Sequence, residues 1–316
     1  MEATKDQMRD LEREAGLRPR ERIPRWVRAL VRNPVSIMGV LLVLFFVVVA
    51  VLAPVLAPPS IPSQPFQIPR SGFSAQPQPP SAAHPFGTTQ GQYDLYYGVV
   101  WGTRTAFEVG LIVTGLTVLI GGGLGSIAAY AGGWFDEVFQ RIVEIFLAFP
   151  FLLAAITLVT IIGPLIQNGI LTDIIALVIF AWPGYARIIR GDILSVKERD
   201  YILAARALGV PGWRILLRHI IPNSMFSLMV VASLDIGNYV LTVAALSFLG
   251  LGAQTGYADW GQLLSFARNW IPDLNTYWYI VVFPGVALLL FVLSFNLLGD
   301  AFRDALDPKM TNPRGG

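Results

Sequence analysis

Residues 190–224 read RGDILSVKERDYILAARALGVPGWRILLRHIIPNS, a basic segment set between two apolar stretches. Residues 201–208 are rich in Ala, Leu and Arg, which favour helix. Gly209 then takes the position where a residue of positive φ stops a helix. Val210, Pro211 and Gly212 turn the chain, and residues 213–221 read as a second helix ending near Pro222. The expectation is a short helix, a sharp turn and a longer basic helix, lying along a membrane face as an amphipathic hairpin.

The flanking sequence supplies the membrane. A hydrocarbon layer about 30 Å thick takes roughly 20 apolar residues of helix, and six stretches approach that: 35–53, 105–131, 138–163, 170–189, 224–250 and 276–298. The fourth is the weakest. It is free of charge only over 174–186 and carries Pro183, so a short, kinked span is expected there. Composition agrees with a polytopic membrane protein. Of 316 residues 54% are hydrophobic and 14% charged, with a mean hydropathy of +0.58; soluble domains carry about 25% charged residues. A disordered or collagenous chain is excluded, and a soluble enzyme is disfavoured. With no cysteine there is neither a disulfide nor a zinc–thiolate site. His84 and His219 stand too far apart in sequence for a histidine metal cluster, so no metal site and no catalytic residues are expected.

Lys and Arg placement orients the chain. Of 23 such residues, all but Arg70, Arg104 and Arg268 fall before the first span, at the second-to-third turn, between the fourth and fifth spans, or after the sixth. Positive charge stays on the cytoplasmic side, so both termini and the 190–222 loop are cytoplasmic. The expected organisation is a cytoplasmic tail with a basic interfacial segment (1–33), a first transmembrane helix (34–57) and an external Pro-rich loop (58–100). A core of five transmembrane helices (101–300) and a cytoplasmic tail (301–316) follow. The first apolar stretch is too long, and too far from the N-terminus, for a cleaved signal.

Between the spans, residues 54–83 alternate Pro with Ser and Gln, which predicts an extended external spacer. Residues 251–275 and their neighbours gather Trp260, Trp270, Tyr277 and Trp278, either an interfacial aromatic belt or a surface that receives an external partner. The GGGLG run at 121–125 lacks the Lys of a phosphate loop and suits close helix packing. Asp235 sits near the middle of the fifth span with Asn238 one turn on, serving either a pathway or a packing hydrogen bond to a partner subunit. Arg104 and Glu108 (i, i+4) and Arg141 and Glu144 (i, i+3) are spaced to pair with each other.

The 190–224 loop resembles the signature of membrane-spanning subunits of bacterial ATP-binding-cassette importers: E-A-A, three residues, Gly, nine residues, then I-x-L-P. Leu203, Ala204, Ala205, Gly209, Ile221 and Pro222 fall on that spacing, with Leu203 in place of Glu and His219 at the first Ile position. Further stretches resemble the second permease subunit of the oligopeptide/dipeptide (nickel) branch: RNP at 32–34, LAP at 52–54, HPFGT at 84–88, GTR at 102–104, ALSFLGLGAQ at 245–254 and LGDAFRDALDPK at 298–309. Two departures stand out. The run from Thr89 to Asp94 keeps only the last Asp of the usual continuation, and Val243 replaces a usual Glu.

The resemblance implies an all-α fold of the type I importer permease, with six transmembrane helices and both termini inside. It implies a non-catalytic subunit of the bacterial or archaeal inner membrane that forms half of a pathway, with di- and oligopeptides as the first expected cargo. Its implied partners are a second homologous permease, two cytoplasmic ATPases that hold ATP and Mg, an external solute-binding protein and the lipid bilayer, with no nucleic acid. No cofactor is implied on this chain. Coupling to the ATPases falls to Arg199, Asp200, Leu203, Ala204, Ala205, Gly209 and Pro222, and Asp235 and Asn238 are the candidate pathway residues. Oligosaccharides or nickel complexes as cargo are the nearest alternative, and Trp260 and Trp270 would suit sugar stacking. A secondary transporter without an ATPase is the alternative of a different class; it would show paired broken helices in two related halves, and 35–163 and 170–298 show no repeat.

Overall fold

The computed structural model describes residues 33–306 apart from residue 73. Most of the expected tails, 1–32 and 307–316, lie outside the described residues. Among the described residues there is no β-strand, only isolated bridges.

Helix α1 (Pro34–Leu56) starts where Asn33 caps it, its Oδ1 accepting from the Val35 amide at 3.0 Å, with Pro34 in the first turn. Helix α2 (Leu95–Ala131) begins earlier than the hydropathy predicts. Asp94 caps it through the Tyr97 amide at 2.8 Å, and its first turns are buried against external chain rather than lipid, so they need not be uniformly apolar. A π-helical turn, Val118–Gly122, interrupts it. There Gly121 lies against the Trp182 carbonyl and Gly125 against Ala186 and Ile189. A methyl at either site would collide with the neighbouring helix, and close packing is the role of the glycine run.

The third span is not one helix. α3 (Gly133–Leu147) and α4 (Phe151–Ile166) meet at 82°, because Pro150 disfavours helix at Phe149 and itself sits at ψ 119°. The fourth span departs from expectation in the other direction. α5 (Gly169–Lys197) runs uninterrupted for 29 residues through Pro183. Of its apolar stretch 56% is buried, against 17% for α1. Of the two charges that bound its charge-free stretch, Asp173 is fully buried and Arg187 is exposed; one turn on, Arg190 is paired.

After α6 (Asp200–Ala207), the second half of the loop is not a separate surface helix. α7 (Gly212–Phe248) joins it to the fifth span through a π-helical turn at Leu216–Ile220. Pro222 therefore lies inside a continuing helix, and the wider turn before it relieves the clash a proline ring would make in a regular ladder. α8 (Trp260–Phe266), a 3₁₀ turn (Arg268–Asp273) and α9 (Leu274–Leu306) complete the chain. α9 packs against α7 and α1, and α5 occupies the centre.

Asn33 Nδ2 donates to Asp304 Oδ2 at 3.3 Å, so the two ends of the described chain adjoin. That requires an even number of crossings, and it makes the bent α3–α4 pair one crossing of six. Gln254 Nε2 donates to the Gln167 carbonyl at 2.8 Å where α4 ends, which places residues 249–259 on the outer side.

The external segment is packed, not an extended spacer. The Trp101 indole donates to the Ala57 carbonyl at 2.8 Å, the Tyr97 hydroxyl to the Pro65 carbonyl at 2.6 Å, and the Ala258 amide to the Phe66 carbonyl at 2.7 Å. Proline denies this segment a ladder, and buried aromatics supply its order instead. Trp260, 2% exposed, is neither belt nor docking surface. Its indole donates to the Val99 carbonyl at 3.0 Å, and its ring packs on Phe46 and Phe291.

Candidate functional site

α6 is built to stop. The Gly209 amide donates to the Arg206 carbonyl at 2.9 Å and the Val210 amide to the Ala205 carbonyl at 3.1 Å, with Gly209 at φ +76°. This is the two-bond Schellman closure, and it satisfies carbonyls the helix end would leave open. Ile202, 0% exposed, anchors the helix in the core with Ile193, Ile215 and Ile220; burying such a side chain contributes about 1.5–3 kcal/mol. Ala205 and Val210 pack on the same core. Leu203, Ala204 and Leu208 point outward and are exposed. Arg199 holds the N-cap position without a side-chain capping bond, and Asp200 opens the first turn, where the helix dipole favours it. Of the pair of alanines, then, only Ala204 is exposed, Ala205 being half-buried. Pro222, in α7, is exposed but belongs to a different element.

Tyr130, at the end of α2, ties this unit to the bundle. Lys197 Nζ donates to the Tyr130 carbonyl at 3.0 Å, the Arg206 guanidinium lies 5.9 Å from the Tyr130 ring centre, and Gly212 packs on the Tyr130 hydroxyl. Nearby, Arg190 grips Asp136 of α3 with two nitrogens at 2.7–3.0 Å, a bidentate pair that fixes α3 to α5. These contacts join the α6 unit to α2, α3, α5 and α7. Sequence reading did not identify Tyr130, Lys197, Ile202 or the Asp136–Arg190 pair. All depend on contacts between distant segments.

In the fifth span, Asp235 accepts from the Tyr185 hydroxyl at 2.8 Å, from Asn238 Nδ2 at 3.3 Å and from the Tyr239 hydroxyl at 3.5 Å. Its carboxylate is thus held by groups of its own chain, while Asn238 is exposed. The i, i+4 relation to Tyr239 was legible; Tyr185 reaches across from α5. Arg141 and Glu144 pair at 2.8 Å. Arg104 and Glu108, by contrast, form no ion pair with each other: the Arg104 guanidinium sits 5.1 Å above the Trp101 ring. At the outer end of α5, Asp173 is buried with no partner for either oxygen among the described residues, close to Gly252. Asp259 caps α8 through the Gln262 amide at 2.9 Å. Burial pushes the Asp259 carboxyl up to about 6, and hydrogen bonds from Gln262, Ser247 and Gly261 limit the rise. Among the described residues no cluster of three or more His, Cys, Asp or Glu side chains is placed to hold a metal.

Residues 121–312 match the family described as the binding-protein-dependent transport system inner membrane component, and residues 25–80 match the N-terminal transmembrane domain of oligopeptide transport permease C. The dipeptide transport system permease DppC of Alkalihalophilus pseudofirmus is 39% identical over 90% of this chain and 88% of its own length. DppC of Bacillus subtilis is 36% identical over 90% and 84%, and the glutathione transport system permease GsiD of Pectobacterium atrosepticum 41% identical over 73% and 74%. Among solved structures, a chain of the MetNI methionine ABC transporter in an inward-facing conformation superposes with a TM-score of 0.55. It covers 67% of this chain and 97% of its own at 18% identity, a likeness of fold. The chain belongs to the family of inner membrane components of binding-protein-dependent transport systems, and is a multi-pass permease of that family.

Proposed function

We propose that this chain is one of two permease subunits of an ATP-driven importer of di- and oligopeptides. In this reading a second homologous permease completes the pathway. Two cytoplasmic ATPases that hold ATP and Mg seat α6 in a groove, and an external binding protein delivers cargo to the outer face. The observation that carries the reading is the Schellman-closed helix α6, anchored by Ile202 and presenting Leu203, Ala204 and Leu208 outward. Relatives named for dipeptides and for glutathione, itself a peptide, support the cargo class. When the ATPases close, α6 moves as a rigid body and the bundle is biased between two states. Arg199 and Asp200 set the start of that helix, Gly209 its end. Pro222 lies in α7 and acts on coupling only through the joint between loop and span. The buried position of Trp260 removes it as a sugar-stacking surface.

The test is purification of the tagged chain with its co-expressed neighbours, native mass spectrometry, and reconstitution in proteoliposomes with the binding protein. Two ATPase copies, a second six-span chain and ATP-dependent uptake of labelled dialanine are expected. A lone chain or homodimer that transports on an ion gradient without ATP would overturn the reading.

A further inference from the structure

Glu108 lies in α2, exposed, with no hydrogen-bond or ion-pair partner among the described residues. It stands on the wall of a groove of about 420 Å³ between α2 and α5, whose other walls include Ile112, Leu116, Ile174 and Val178. Tyr257 also lines the groove. A second cavity of about 250 Å³ shares Asn168, Ile170 and Tyr257 with it, and is lined by Gln64, Gln67, Gln167 and Gln254. A polar cavity at the outer face thus adjoins an apolar groove that carries one carboxylate.

A carboxylate beside an apolar groove at the outer end of a span is expensive to leave unpaired, and such groups face a cavity or a countercharge. The adjacent cation, Arg104, is turned onto Trp101. We infer that Glu108 receives a positive charge of the cargo, its terminal ammonium or a cationic side chain, while the groove takes the apolar part. The occupant is the cargo rather than a helix of the second permease, because the groove adjoins the amide-lined outer cavity and shares Asn168, Ile170 and Tyr257 with it. This inference rests on the peptide-importer reading and adds a residue that selects among peptides.

The test uses the complete importer with its binding protein in proteoliposomes, and compares ATP-dependent uptake of lysyl-alanine and aspartyl-alanine. One binding protein delivers both, so a change in their uptake ratio between permease variants belongs to the pathway. Glu108→Gln is expected to lower the ratio of cationic to acidic cargo about tenfold, and Glu108→Asp to keep it within about threefold of wild type, as one ion pair gained or lost would do. An unchanged ratio in a transporting Glu108→Gln complex would overturn the inference. So would loss of the second permease from the purified Glu108→Gln complex, which would mean that the carboxylate serves the subunit interface. Wild-type complex that takes up neither dipeptide removes the peptide reading itself, and the inference with it.

Discussion

Gly209 has φ +76° and no atom within 4 Å of the place where a Cβ would stand. The left-handed conformation costs an L-residue about 1–2 kcal/mol, and a β-branched side chain resists it further. Gly209→Val should therefore loosen the end of α6 and push two methyls into the space kept for a partner, without disturbing any span. Membrane insertion and yield should match wild type. ATP-dependent uptake should fall at least about tenfold, the equivalent of roughly 1.4 kcal/mol of lost coupling, and ATPase activity should cease to respond to loaded binding protein. Normal uptake by the valine variant would remove α6 from the coupling path. Gly209 was legible in the sequence because a glycine directly after a run of helix formers marks a helix end. Ile202 was not: in YILAAR, Tyr201, Ile202 and Leu203 are all apolar, and only the last turn of α5 and the start of α7 decide which one is buried. The same limit applies to Asp235, whose partner Tyr185 lies 50 residues away.

Elements were legible where hydropathy and burial coincide, as in α1, and obscured where they part. α5 reads as a weak span although it is the most enclosed, and enclosure by protein tolerates Asp173 where lipid would not. The α3–α4 break had a visible signal in Pro150 that uniform hydropathy masked. At the outer cap proline content misleads, because it predicts extension whereas the order there comes from aromatic contacts. Asp259 lets that cap be tested. Its folded pKa, about 6, stands above the ordinary value of 3.8. The folded state thus holds more proton than the unfolded between those values, and this group's contribution to stability falls as pH rises from about 4 to about 6, then stays flat. Asp259→Asn retains a good N-cap and removes the buried charge. The variant is expected to be more stable than wild type at pH 7.5 by about 1–3 kcal/mol, with the difference shrinking toward pH 4 in thermal melts of detergent-solubilised protein. A constant difference across that range would contradict the assignment.

At the scale of the molecule, charge placement carried the topology, and the meeting of Asn33 with Asp304 supports it from the fold. In the proposed importer the far wall of the pathway and the groove that seats α6 belong to other subunits, and Leu203, Leu208 and Trp213 are exposed where that seat is proposed. The absence of cysteine makes this testable one thiol at a time. Leu208 is 83% exposed at the tip of the loop, and Ser63 is exposed on the outer cap. A membrane-impermeant maleimide should modify Ser63→Cys from the periplasmic face of spheroplasts and Leu208→Cys only in inside-out vesicles. When the ATPases are co-expressed, Leu208→Cys should become protected about fivefold or more, since closing a protein interface over a thiol excludes reagent as it excludes water. Ser63→Cys should not change. Equal labelling of Leu208→Cys with and without the ATPases would leave α6 as a membrane-surface hairpin, and labelling of both thiols from one face would break the six-crossing topology on which the coupling argument stands.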